Sequence, residues 1–333
     1  MSILDDTAKR IELTAQLKRD IDAACVQLYA DGFRTRLGAG VMGEECDRFL
    51  WYGFRWAFVD KAESDGRMQR LFNRGYIEEA RMLDWLRAAG FDVYTQMPQI
   101  LHWHPESDSY FWEYEFIEGD GLVEDVTGYE HHHDLAEQYG AQKLEPKAYH
   151  VEDCDGHFGG GLDAVVYFPA HYGIDDPAIA EAKTNSTGRG FNDLLDHGCR
   201  NAKWKHFVQQ SIYGYKMEIK YSVYVNTNKN DDDIHVEIVP LDLELGANMI
   251  ERARKIIFSD APPPRLSENP TFHKCKACSA VGVCHRKHAV AKNCRSCDRA
   301  IPIAEGAWFC REWNAVIPKA AIPDACHKWV PIV

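Results

Sequence analysis

The chain has 333 residues, with 38 Lys and Arg against 51 Asp and Glu, for a formal net charge of −13 at pH 7. That length is ample for a hydrophobic core, in one large domain or in a core with attachments. The acidic balance argues against a chain that coats nucleic acid through its overall field, while leaving room for a local basic groove. No stretch approaches the ~18 consecutive apolar residues of a membrane span. The opening MSILDDTAKR is charged and lacks an apolar run, which predicts no secretory signal, a cytoplasmic setting and no membrane partner.

Residues 1–37 read as a helical segment, with Ile11, Leu13, Leu17, Ile21 and Leu28 spaced among charged neighbours. Residues 38–58 pass from a glycine-rich turn into an aromatic helix that starts near Cys46. Residues 67–89 carry the clearest helical pattern, and Gly90 closes it. Its apolar stripe includes Phe72, Met82, Leu83 and Leu86, and Glu79 falls on that stripe; Glu78, four residues before Met82, is the competing choice. An inward carboxylate must be paired or bind a metal. Further on, 91–94 predicts a strand, 110–116 an aromatic segment, 122–127 a second β-like run and 149–152 another strand. His131, His132 and His133 fit a solvated loop or helix end better than a metal site. His157 precedes the next glycine turn, which places it near the edge described next, in a role left open.

Residues 159–183 carry the densest chemistry. After three glycines, residues 164–168 read as a strand and residues 178–183 as a second. Residues two apart on a strand share a face, so Glu181 and Lys183 point the same way, and hairpin pairing brings Asp163 to them. Two carboxylates and an ammonium on one sheet edge can hold Mg²⁺ or Mn²⁺ and leave room for a phosphate. Two helices follow, over 191–199 and 202–217. Arg200, Lys203, Lys205 and His206 form a basic cluster beside the edge, and Gln209 and Tyr213, four apart, share a helix face. Strands at 221–226 and 234–240 make a hairpin, and 245–258 is an amphipathic helix carrying Arg252, Arg254 and Lys255. The proline run at 260–264 ends that helix and marks a domain joint.

Seven of the eleven cysteines lie between Cys275 and Cys326, a clustering that points to metal rather than disulfides. Cys275, Cys278 and Cys284 form C-x₂-C-x₅-C and need a fourth ligand: His288 would complete a Cys₃His zinc site, and Cys46 a Cys₄ iron–sulfur site. Cys294, Cys297, Cys310 and Cys326 approach the spacing of a zinc ribbon, with His327 as the alternative to Cys326. With no other obvious core in 290–333, a metal is expected to organise this tail. Cys25, Cys154 and Cys199 are left as buried thiols.

Gly-Leu-Asp163, Glu181-Ala-Lys183 and Gln209-x₃-Tyr213, in that order, resemble the PD-(D/E)XK nuclease superfamily, and within it the RecB-like exonucleases. Gly75-x₃-Glu79 looks like their additional helical acid, and Cys46 split from C-x₂-C-x₅-C looks like the iron–sulfur clasp of some members. The whole set most resembles bacteriophage-encoded exonucleases. The resemblance implies an α/β fold: a restriction-endonuclease-like core, with a mixed central sheet flanked by helices, an iron–sulfur clasp and a small C-terminal zinc-ribbon-like module. The corresponding segments are an N-terminal helical part (1–37), a nuclease core (38–260) with an insertion at 95–148, a clasp segment (261–290) working with Cys46, and the ribbon module (291–333). It implies Mg²⁺ or Mn²⁺ on Asp163, Glu181, Glu79 and the Ala182 carbonyl, with Lys183 catalytic. Gln209, Tyr213, Arg200, Lys203 and Lys205 would bind substrate. A 4Fe-4S cluster would sit on Cys46, Cys275, Cys278 and Cys284, and Zn²⁺ on Cys294, Cys297, Cys310 and Cys326. The implied activity is a DNA exonuclease leaving 5′-phosphate ends in phage recombination or DNA processing, in the host cytoplasm, beside an annealing protein or recombinase. Two rivals stand: a restriction-type or structure-specific endonuclease, and a non-catalytic protein that binds DNA or a partner on the same fold.

Overall fold

The computed structural model describes residues 6–29, 34–59, 65–96, 99–104, 109–114, 142–144, 148–186 and 188–332. In chain order the first elements are helix α1 (Thr7–Leu28), strand β1 (Leu37–Gly38), helices α2 (Asp47–Phe54) and α3 (Gly66–Ala88), and strands β2 (Asp92–Tyr94), β3 (Gln99–His104), β4 (Ser109–Tyr114) and β5 (Gln142–Leu144). Strands β6 (His150–Asp153), β7 (Phe158–Gly161), β8 (Ala164–Tyr167) and β9 (Ala178–Asn185) follow, then helices α4 (Arg189–Ala202) and α5 (Trp204–Met217). Strands β10 (Tyr221–Asn228) and β11 (Ile234–Pro240) lead to helices α6 (Leu243–Ile257), α7 (His273–Lys276) and α8 (Val281–His285), and to strands β12 (Ala300–Pro302), β13 (Trp308–Cys310) and β14 (Ala315–Ile317). Among the described residues no helix is long and apolar enough to cross a membrane.

The frame is a mixed five-stranded sheet in the order β11-β10-β9-β8-β2. Only β9 and β10 run parallel; the other neighbours are antiparallel. A parallel pair needs a long crossover, and α4 with α5 supplies it. On one face Met82, Leu83 and Leu86 of α3 pack against Ala164, Val166, Ala178, Ala180, Ala182, Val223 and Val225. The opposite face of β10 and β11 meets Leu194, Cys199 and Phe207 through Tyr224 and Val239. The fold is therefore mixed α/β with helices on both faces of a mixed sheet, as expected. Asp65 caps α3 by accepting from the Arg67 and Met68 amides, and Gly90, at φ +91°, ends it.

Several expectations change. Phe72 is not on the packed stripe of α3; it is 46 % exposed, and Gln69 and Glu78 take the inward positions with Met82, Leu83 and Leu86. Ile11, Leu13, Leu17, Ile21 and Leu28 of α1 are exposed, and α1 meets α3 through polar contacts. There Arg70 binds Asp22 at 2.7 Å, and a side chain on Gly66 would strike the Asp22 backbone at 2.2 Å. The insertion contributes a small sheet, β4-β3-β5. The β-like run at 122–127 and the His131–His133 triplet lie outside the described residues.

The tail is seated on the main core. Trp308, Ala300, Ile322 and Ile332 belong to the same buried cluster as Leu50, Trp51, Phe54, Phe158 and Ile257. Two buried arginines fill the joint. The Arg295 guanidinium lies 4.4 Å from the Trp56 ring, 4.5 Å from Phe54 and 4.9 Å from Trp308. Arg55 stacks 5.1 Å over Trp308 and donates to the Ala300 carbonyl at 2.8 Å. His157 belongs here, and not at the Asp163–Glu181 edge. It is wholly buried, its Nε2 is 2.8 Å from the Ile303 carbonyl, and its ring packs edge-on against Phe54, Phe258 and Trp308. The segment 290–333 thus has an apolar core to join, which its own composition did not reveal. Trp308→Ala should lower stability by about 3–5 kcal/mol. Circular dichroism and tryptophan fluorescence should then follow one coincident unfolding transition; separate transitions for core and tail would contradict the shared core.

Candidate active site

The β8–β9 register sets Ala164 against Ala180, which carries Asp163 to the level of Glu181. The backbone amide of Ala182 donates to Asp163 Oδ2 at 2.8 Å and locks that carboxylate across the pair. Glu181 has no exposed surface. Lys183, on the same face of β9, places its Nζ 2.5 Å from Glu181 Oε1, 3.8 Å from Asp163 Oδ2 and 3.2 Å from the Ala182 carbonyl. Apart from that ion pair, neither Glu181 oxygen has a hydrogen-bond partner among the described residues. The sequence-derived trio is therefore assembled as expected.

The two helical acids separate cleanly. Glu78 is buried but neutralised on its own helix, by Arg81 at 3.1 Å and Arg74 at 3.5 Å. Glu79 instead lies within the field of Asp163 and Lys183. Burial, and then the Asp163 charge, push the Glu79 carboxyl up to about 7, against the pull of Lys183. Burial likewise raises Glu181, with Asp163 and Glu79 adding to it and Lys183 opposing. Burial alone would lower Lys183, but Glu181 and Asp163 outweigh it and hold the ammonium charged. Three carboxylates crowd one cation. Such a set suits a hard divalent ion, which would relieve both the repulsion and the unmet acceptors of Glu181. Among the described residues no group of three or more His, Cys, Asp and Glu side chains stands at metal-holding spacing.

Gln209 and Tyr213 share a face of α5, and Gln209 Nε2 donates to the Tyr213 hydroxyl at 3.1 Å. Burial, and then the Glu181 charge, raise the Tyr213 phenol above its ordinary value, so it stays a neutral donor beside the acids. The glycine turn makes room for it: a Cβ on Gly160 would lie 2.5 Å from the Tyr213 hydroxyl.

The basic cluster is not one patch. Arg200 faces Asp242 at 3.7 Å and lies over the Phe207 ring, and Lys205 is taken by Glu44. Lys203 turns to the end of β9, where its Nζ donates to Asn185 Oδ1 at 3.0 Å. His206 is driven down to about 3 by burial, then by Lys183 and Lys203, and is a neutral ring rather than a cation. Sequence reading passed over Tyr224 and Asn226, which stand beside Glu181 and Lys183 on β10. Their signal is a polar residue at every second position, from Tyr224 to Asn226 to Asn228, in a strand buried almost throughout.

The clustered cysteines and Cys46 line two cavities. Cys46, Cys275, Cys278 and Cys284 line one cavity of about 640 Å³, while His288 folds against Gly282 and does not line it. Burial, then the neighbouring Cys46 and Cys284 thiols, push Cys275 up. Cys294, Cys297, Cys310 and Cys326 line a second cavity of about 320 Å³, and His327 instead packs against Trp313 at 5.9 Å. Cys154 and Cys199 are buried thiols; Cys25 is only half-buried, 3.5 Å from Arg70.

No protein-family model and no curated protein matches the chain. Among solved structures it is similar to SSO0001, at 12 % identity and a TM-score of 0.39, over 80 % of this chain and 96 % of that one. It is also similar to LHK-Exo in complex with dAMP, at 11 % identity and a TM-score of 0.36, over 69 % of this chain and 90 % of that one. Likenesses at this level carry no functional inference.

The raised acids have a pH signature. Between the ordinary value of 4.5 and about 7, folded Glu79 keeps a proton that the unfolded chain has released. Metal-free stability should therefore fall as pH rises through that window. Glu79→Gln should flatten the slope, read from denaturant midpoints at pH 5, 6, 7 and 8.

Proposed function

We propose that this chain is a metal-dependent deoxyribonuclease of the PD-(D/E)XK type, acting as an exonuclease on DNA and leaving 5′-phosphate ends. The observation that carries the reading is Glu181: a fully buried carboxylate held against Lys183 beside Asp163, with oxygen atoms otherwise unmet. A protein that only binds DNA gains nothing from holding carboxylates where phosphate must come. Asp163, Glu181, Glu79 and the Ala182 carbonyl would hold Mg²⁺ or Mn²⁺. When bound, that ion polarises the scissile phosphate and lowers the pKa of attacking water. Lys183, charged and fixed by two carboxylates, orients the water and offsets charge developing on the phosphate. Gln209 and the neutral Tyr213 position the strand through geometry rather than proton transfer. Lys203 supplies a backbone contact, and Arg200 and Lys205 join it when phosphate displaces Asp242 and Glu44.

In the same reading, Cys46, Cys275, Cys278 and Cys284 carry a 4Fe-4S cluster. Support comes from Cys46 sharing a cavity with the other three while His288 stands outside it. Cys294, Cys297, Cys310 and Cys326 carry Zn²⁺, with His327 engaged by Trp313 instead. The nuclease core then spans 38–260, closed by the clasp at 261–290, with the tail from 291 seated on it. Its place in recombination or DNA processing, beside an annealing protein or recombinase, rests on the motif resemblance.

Labelled linear DNA incubated with Mg²⁺ or Mn²⁺ should be degraded from its ends. Lys183→Ala should lower that rate by at least about 10²-fold, with an unchanged circular dichroism spectrum; cleavage at the wild-type rate would sink the assignment. A closed circle should survive, and its cleavage would select the endonuclease. Anaerobically purified protein should be coloured and contain iron, and Cys46→Ala should lose both the iron and thermal stability. A colourless, zinc-only first site would instead select His288.

A further inference from the structure

Next to the row Glu181, Lys183 and Asn185 on β9 runs a second row on β10, in register: Tyr224 beside Glu181, Asn226 beside Lys183 and Asn228 beside Asn185. Tyr224 and Asn226 have no exposed surface. A central strand buried on both faces is ordinarily apolar, so these polar side chains call for a reason.

Four hydrogen bonds join them into one directed chain. Lys203 Nζ donates to Asn185 Oδ1 at 3.0 Å, and Asn185 Nδ2 donates to Asn226 Oδ1 at 3.0 Å. Asn226 Nδ2 donates to the Tyr224 hydroxyl at 3.1 Å, and that hydroxyl, 2.8 Å from His206 Nδ1, has its own proton left to give. The three links from the ammonium to the Tyr224 hydroxyl run the same way, and the fourth continues them when that hydroxyl donates to His206 Nδ1. The direction requires an unprotonated Nδ1, since a protonated imidazole has no acceptor. Burial keeps the His206 ring neutral, and in its Nε2–H tautomer Nδ1 is the acceptor. Chains of this kind polarise one another, so each bond strengthens the next.

We propose that this chain is a positioning device for Lys203. It holds the Lys203 ammonium beside the Lys183 edge, where it takes the phosphate next to the one held at Asp163 and Glu181. The spacing suits that role: Asn185 lies two residues beyond Lys183 on the same face, about 6.6 Å along the strand. The two cations are then within reach of successive phosphates of one DNA strand. A lysine already immobilised also gives up less freedom when it binds. Asn185, Asn226, Tyr224 and His206 are positioning residues; they act through Lys203 and touch no substrate. The inference rests on the nuclease reading and adds to it a second, preset phosphate contact.

The test is a double-mutant cycle on DNA binding, with full-length Lys183→Ala protein as the non-cleaving background and a labelled linear duplex bearing single-stranded tails. Lys203→Met should reduce the slope of log K against log salt by about one. Tyr224→Phe breaks the chain but keeps the charge, and should weaken binding by about fivefold when Lys203 is present and not at all in Lys203→Met. His206→Gln, whose amide oxygen can accept from Tyr224, should bind like the background, whereas His206→Leu should match Tyr224→Phe. If Tyr224→Phe weakens binding equally with and without Lys203, or has no effect with it, the positioning role is overturned while the nuclease reading stands, provided that the wild type cleaves DNA. If the wild type neither binds nor cleaves DNA, both fail together.

Discussion

A carboxylate without exposed surface costs free energy unless charge or hydrogen bonds meet it. At Glu181 the compensation among the described residues is Lys183, 2.5 Å away, with the Asp163 carboxylate just before the next strand. Much of the architecture follows from keeping that arrangement in place. The β8–β9 register brings Asp163 across, the parallel β9–β10 pair walls in the other side, and the α4–α5 crossover that such a pair demands delivers Gln209, Tyr213, Lys203 and His206 to the same edge. Helix α3 covers the far face of the sheet and contributes Glu79 to the field. The result is an edge where three carboxylates share one lysine.

The rest of the chain closes around this core from both ends of the sequence. Cys46 caps the aromatic helix α2, and the segment carrying Cys275, Cys278 and Cys284 returns to it across more than half the chain. The tail is then pinned by stacked arginines and aromatics at its joint with α2. Arg55 and Arg295 are both buried, and burial pulls each guanidinium below its ordinary value. Among the described residues their charge meets aromatic faces and backbone carbonyls, with no carboxylate at ion-pair distance. This makes the core–tail joint a desolvated and exacting contact, sensitive to the loss of any one ring.

What could be read in advance was what local periodicity encodes. Glu181 and Lys183 lie two apart in a short apolar strand, so a shared face was certain once the strand was, and a single hairpin sufficed to bring Asp163 in. Gln209 and Tyr213 followed from helical spacing. Adjacent positions were harder. Glu78 and Glu79 both border the same stripe, and only the arginines one turn away, Arg74 and Arg81, separate them. Partners distant in the chain were out of reach. Lys205 and Arg200 look like free cations until Glu44 and Asp242 are placed beside them. His157 looked close to the Asp163–Glu181 edge because the glycine turn follows it, yet Ile303 and Trp308 of the tail claim it. The polar row on β10 was present as an alternation, but alternation alone does not say which neighbour it faces.

The proposed function requires the Asp163–Glu181–Lys183 edge to take a divalent metal. The most direct measurement is the anomalous difference map of a crystal soaked in Mn²⁺. A peak within coordination distance of the Asp163 and Glu181 carboxylates and the Ala182 carbonyl, with Lys183 displaced from Glu181, is the predicted result. A saturated soak with no peak there and the Lys183–Glu181 pair intact would contradict it.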